Sequence, residues 1–154
     1  MADNREVTRK EQDKGTYILL ARLDKTQKIK PGKLPKTDYK KGIYLYVGRA
    51  RTGLKARIER HLRNEKKLFW HIDYLLQKAK VEDLWIRKDY FAECDTANKI
   101  QDLSPTHSKA IHGFGSSDCR CPGHLFYFPP STRGMNSLRE NLGFKKVGID
   151  GNNF

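Results

Sequence analysis

No apolar run in this chain approaches the roughly 20 residues that a membrane-crossing helix needs. The first fourteen residues, MADNREVTRKEQDK, have no apolar segment after their charges. A spanning helix and a secretory leader are therefore not expected. The expectation is a soluble, cytoplasmic protein with a solvated arm over residues 1–14. Cysteine is scarce: Cys94, Cys119 and Cys121 are the three present. An odd count cannot pair fully within one chain, and it suits a reducing compartment. No internal repeat and no low-complexity tract divides the sequence. Its 154 residues suit one domain with one real core.

Negative charge is the other shortage. Asp plus Glu number 18 against 31 Lys plus Arg, a formal net charge of +13. The excess is localised. Residues 24–41 carry seven lysines and two aspartates, and residues 49–67 carry eight Lys or Arg and two glutamates, so the two segments hold 11 of the 13 surplus charges. Clustered positive charge favours a phosphate backbone or an anionic membrane. No strongly amphipathic basic helix with a broad apolar face supports the membrane. A phosphate backbone is the expected partner; the plainer alternative is a basic surface that only confers solubility. The candidate contacts are Lys30, Lys33, Lys36, Lys40, Arg49, Arg51, Lys55 and Arg60.

The pattern of elements comes next. GTYILLARL (15–23) is rich in β-formers and predicts a strand. Pro31, Gly32 and Pro35 make 24–41 a hairpin or long loop. GIYLYVG (42–48) predicts a second strand, with Ile43, Leu45 and Val47 on one face and Tyr44 and Tyr46 on the other. Leu54, Ile58 and Leu62 recur at helical spacing, with Arg57 and His61 along one edge of that stripe. Further elements are a helix over 70–79, a strand over 81–88, a helix over 89–103, a loop over 112–123, a short strand over 124–128 and a helix over 135–142. The expected class is α/β (α+β), a small sandwich with a mostly antiparallel or mixed sheet flanked by helices. One domain is expected over 15–146, with a tail over 147–154.

GIYLYVG places a GIY (Gly42–Tyr44) and a YVG (Tyr46–Gly48) on one strand. With GTYILL, YLYVGRA, WHIDYLL, the Glu93-Cys94 pair and GFGSSDCRCPGHLFYF, the chain resembles the GIY-YIG nuclease superfamily. It is most similar to a small prokaryotic branch, common in archaea and sometimes fused to endonuclease III-like repair glycosylases. The family pattern puts its two tripeptides on neighbouring strands. Gly15-Thr16-Tyr17 therefore fits the first, YVG the second, and Gly42–Tyr44 is coincidental. Thr16 replaces the family's Ile, and Arg49 stands where the branch often has Ser. The resemblance implies a metal-dependent DNA endonuclease, active in repair or structure-specific cleavage, with an endonuclease III-like protein as a further partner. The alternatives are a binding module without catalysis, or a docking domain for such a glycosylase.

The resemblance also implies roles. Tyr17 is the candidate general base, and Tyr46 positions water or phosphate. Arg57 pairs with phosphate and lowers the Tyr17 pKa. His61 bonds a tyrosine or relays a proton, and Glu93 holds Mg²⁺ or Mn²⁺. Ordinary strand packing for the tyrosines, a snorkelling stripe edge for Arg57 and His61, and a helix-start acid for Glu93 are the plain readings. His71 and Asp73 fit either the cleft or a structural helix start. Ser117 and Asp118 fit a phosphate contact or a turn cap. Cys94, Cys119, Cys121 and His124 fit a Cys₃His structural Zn²⁺ site, against reduced thiols or one disulfide.

Overall fold

The structure, a computed structural model, describes residues 14–103, 109–116 and 119–149. Gly15–Leu23 (β1) and Gly42–Ala50 (β4) are buried almost throughout their length. Strands apolar on both faces need cover on both faces, and that need shapes the molecule. Between them lie two short strands, Gln27–Ile29 (β2) and Thr37–Tyr39 (β3), which pair as a separate ribbon. Leu54–Leu62 (α1), His71–Leu76 (α2) and Lys80–Arg87 (β5) follow. A 3-10 turn at Tyr90–Ala92 then leads into Glu93–Leu103 (α3). The remaining elements are Lys109–Ala110 (β6), Leu125–Phe128 (β7), Met135–Leu142 (α4) and Lys145–Val147 (β8).

Six strands form one antiparallel sheet of order β6-β7-β4-β1-β5-β8. One face carries Tyr17, Leu19, Tyr44 and Tyr46. It packs on Leu54 and Ile58 of α1, Ile72 and Leu75 of α2, Ile29 and Tyr39 of the ribbon, and Phe114. The other face carries Ile18, Leu20, Ile43, Leu45 and Val47, under Ala97 and Ile100 of α3 and Leu138 and Leu142 of α4. The period of two along each strand sorts its side chains between these cores.

The fold class matches the expectation, with differences of detail. The helix expected over 70–79 is shorter. Trp70 is extended (φ −90°, ψ 158°), and Ala79 turns back with its N–H donating to Leu75 O. The helix expected over 89–103 is two pieces, because Asp89 caps Phe91 N and starts a separate tight turn. β6 and β8 were not anticipated. Val147, in the segment expected to be tail, is buried opposite Leu84. Residues 1–13 of the expected arm and 150–154 of the tail lie outside the described residues.

Candidate active site and an adjoining metal-ligand cluster

Antiparallel register sets Tyr17 opposite Gly48. The Tyr17 ring crosses the backbone of its partner: a Cβ at position 48 would stand 2.5 Å from Tyr17 Oη. Glycine ends YVG because no side chain fits under that ring. Tyr46 lies beside it, with ring centroids 6.4 Å apart. Tyr44 is elsewhere, donating to Lys40 O at 2.6 Å and packing on Tyr127.

A cleft of about 530 Å³ opens over Tyr17 and Tyr46, with Arg49, Arg51, Arg57 and Glu93 on its walls. Several separate parts of the chain build it. β4 delivers Tyr46 and Arg49, and α1 delivers Arg57, whose guanidinium donates to Arg49 O at 3.2 Å and lies 4.6 Å from the Trp70 centroid. Glu93 opens α3. Thr16 fixes that approach: its buried hydroxyl donates to Asp89 O at 2.6 Å, tying β1 to the turn before Glu93. An isoleucine there would have no such hydroxyl.

Tyr17 Oη lies 2.7 Å from His61 Nε2. Burial raises the Tyr17 pKa above the usual phenol range, and the neighbouring Arg57, which lowers it, does not offset that. The expectation that Arg57 acidifies Tyr17 is right in direction and outweighed in sum. Burial also lowers the His61 pKa to about 3, so its imidazole is neutral. His61 Nδ1 is buried without a hydrogen-bond partner among the described residues.

Glu93 is buried to 8% exposure, and both its oxygens meet protein groups. Oε1 is 3.0 Å from His124 Nδ1, and Oε2 is 3.5 Å from Arg49 Nε. A carboxylate can only accept, so His124 Nδ1 carries the proton. The other ring nitrogen, Nε2, lies 3.5 Å from Cys119 Sγ and 3.9 Å from Cys94 Sγ. The ligand atoms of Cys94, Cys119, Cys121 and His124 all lie within 4.8 Å of one another, a group able to hold a metal ion. Burial pushes the Cys121 thiol up to about 12 and raises that of Cys94. The loop carrying His124 is stapled to the YVG strand. Val47 N donates to His124 O at 2.9 Å, and His124 N donates to Phe114 O at 2.7 Å.

The other sequence candidates divide. His71 lines the cleft, and its Nδ1 accepts from Gly115 N at 2.9 Å. Asp73 is fully buried outside the cleft lining. It accepts from Phe69 N and Trp70 N and takes a bidentate pair with Arg60 at 2.9 and 3.0 Å. Burial raises its pKa, but the Arg60 and backbone hydrogen bonds outweigh that and the net direction is down. Of the two readings open for Asp73, the structural helix start is the one its contacts match. Arg60 is held by Asp73 and lies 4.3 Å from the Trp70 centroid, so its charge is already used internally. Lys30, Lys33, Lys36, Lys40, Arg51 and Lys55 are exposed. A Cβ at Gly32, between the first two, would stand 3.7 Å from the His71 ring and 3.8 Å from the Tyr74 ring, which brings that loop beside the cleft. Ser117 and Asp118 lie outside the described residues.

Aromatic walls were missed. Trp70 packs against the core and also lines the cleft with Phe69 and Tyr90. Phe69 is 74% exposed and Phe91, edge-on to Tyr90, is 85% exposed. The signal available was Phe69 directly before the helix-start WHIDYL, at a position with no apolar period to absorb it.

Among the described residues, no helix is long and apolar enough to cross a membrane. No curated protein and no solved structure matches this chain. The model of one family, the domain of unknown function DUF123, matches residues 16–144, and over that span the chain belongs to the DUF123 family.

Proposed function

We propose that this chain is a divalent-metal-dependent endonuclease of the GIY-YIG type that hydrolyses phosphodiester bonds in DNA, in repair or structure-specific cleavage. One observation carries the reading. Tyr17, Tyr46, Arg57 and Glu93, four of the five residues that the resemblance assigns to catalysis, are separated in sequence and line a single cleft; the fifth, His61, meets the cleft through Tyr17 Oη. That cleft has Arg49 and Arg51 on its wall and the lysine-bearing 24–41 loop beside it.

Hydrolysis requires a deprotonated water, charge stabilisation at the pentacoordinate phosphorus, and a stabilised leaving oxygen. The Glu93 carboxylate is a hard oxygen ligand that fits Mg²⁺ or Mn²⁺. Such an ion, when bound, supplies charge stabilisation and an acidified water. Arg57, preorganised by Trp70 and Arg49 O, offers its planar fork to a phosphate oxygen. Tyr17 keeps its proton in this state, and its hydroxyl is held on the line to His61 Nε2. It acts as a base only when further positive charge enters the cleft. Tyr46 orients water or phosphate beside it. The exposed Phe69 at the cleft wall suits an unstacked base, which agrees with cleavage at a DNA distortion.

The Cys₃His group suits zinc rather than magnesium, because three thiolates and an imidazole are soft ligands. In a tetrahedral zinc site, N···S edges are about 3.6 Å. The 3.5 and 3.9 Å separations from His124 Nε2 fit that size.

A second reading, a nucleic-acid-binding module without catalysis, is favoured by the engagement of both Glu93 oxygens with protein groups. Nicking of supercoiled plasmid and of branched DNA, with and without Mn²⁺ or Mg²⁺, separates the two. Metal-dependent nicking supports the enzyme, and salt-sensitive binding with no cleavage supports the module.

A further inference from the structure

Glu93 and the cysteine group are not two sites that happen to adjoin. His124 belongs to both. Its Nδ1 meets Glu93 Oε1 at 3.0 Å, and its Nε2 meets two of the three thiols. Cys94 follows Glu93 directly at the start of α3, so the same turn of helix feeds the cluster and the cleft. The His124 backbone is bonded to Val47 of the YVG strand. A neutral imidazole that donates from Nδ1 has its only lone pair at Nε2, where the thiols converge.

We propose that a zinc ion bound by Cys94, Cys119, Cys121 and His124 Nε2 is the positioning support of the Glu93 carboxylate. This inference rests on the zinc reading above. It extends the usual arrangement in which a metal-bound histidine passes its other N–H to a carboxylate. The ion fixes the His124 tautomer and ring orientation. The Nδ1–H then holds Oε1, and Oε2 is left as the oxygen turned toward Arg49 and the cleft. Glu93 is thus both the outer partner of one ion and the cleft ligand for another. His124 is a positioning residue: it touches no substrate and acts through Glu93.

The dependence is reciprocal, so it is measurable from the zinc side, independently of cleavage. Zinc affinity is read by competition with a chromogenic chelator, using Zn²⁺ alone as the probe. Glu93→Ala is expected to weaken zinc binding by about 10–100-fold. Glu93→Gln, whose amide oxygen still accepts from Nδ1–H, is expected to lose less. Asp95→Ala removes an exposed acid from the same helix, paired with Lys99, and should leave zinc affinity unchanged. Nitrogen-15 NMR of the zinc-loaded protein should show His124 ligated at Nε2 and protonated at Nδ1. An unchanged zinc affinity in Glu93→Ala overturns the coupling, as does His124 ligated through Nδ1 or a wild-type protein that takes up no zinc. If Glu93→Ala does not fold, Glu93→Gln and the NMR tautomer still decide. A protein that shows the affinity loss and never cuts DNA retains this inference and removes the nuclease reading.

Discussion

Tyr17 and Tyr44 are both buried tyrosines at the end of a Gly-x-Tyr tripeptide, and their surroundings assign them different work. Tyr17 faces the cleft and His61, whereas Tyr44 caps Lys40 O beside Tyr127. Tyr17→Phe keeps the ring that covers Gly48 and should lower the nicking rate about a hundredfold or more. Tyr44→Phe should lose about 1 kcal/mol of stability through its hydrogen bond and keep its activity. Paired nicking assays and melts check both; an inactive Tyr44→Phe beside an active Tyr17→Phe would put the first tripeptide on the wrong strand. His61 makes a separate prediction. Its folded pKa of about 3 lies below the ordinary value of 6.5. Between these values the unfolded chain binds a proton that the folded chain does not. The stability due to neutral His61 is therefore fully present above pH 6.5 and is lost as pH falls toward 3, by about 1.4 kcal/mol per unit. Urea melts of His61→Gln should show a flatter slope across that window; an unaltered slope contradicts the buried neutral imidazole.

Among the elements, β1 was legible to the residue and α1 by its stripe, because a run of β-formers and a clean helical period each declare themselves locally. β6 and β8 were not. Lys109–Ala110 and Lys145–Val147 are two and three residues long and rich in lysine, and they are strands only because β7 and β5 offer them edges. α2 was read too long because WHIDYLLQKA is apolar enough to continue, whereas Asp73 caps its start and the chain turns back at Ala79. The site followed the same division. Tyr17, Tyr46, Arg57, His61 and Glu93 could be named through family resemblance. The His124 bridge and the aromatic walls arise from loop packing that no local period encodes. Gly48 supplies the test at this scale. Gly48→Ala puts a methyl group into the Tyr17 ring, and either β4 or the ring must move. Overpacking of this kind is expected to destabilise by about 1–3 kcal/mol and to reduce cleavage more than Tyr44→Phe does. A Gly48→Ala protein with wild-type melting and nicking contradicts the ring-over-glycine contact.

Over the whole molecule, surplus positive charge and the cleft coincide. The 24–41 ribbon meets α2 at Gly32, and Arg49, Arg51 and Arg57 line the opening. Duplex DNA binding should weaken with salt, log K falling with a slope of about −0.9 per phosphate neutralised. Replacing Lys30, Lys33, Lys36 and Lys40 together with Gln should flatten that slope. An unchanged slope would confine the footprint to the 49–67 segment. The central claim concerns the carboxylate in that cleft. Its most direct test is Mn²⁺-dependent nicking of supercoiled and branched DNA by wild type and Glu93→Gln, with DNA binding measured alongside. Glu93→Gln should bind DNA at least as tightly as wild type, because a negative charge facing phosphate is gone. Its nicking should fall by about 10²–10³-fold and lose its response to metal. Wild-type nicking that is matched by Glu93→Gln at every Mn²⁺ concentration would contradict the account.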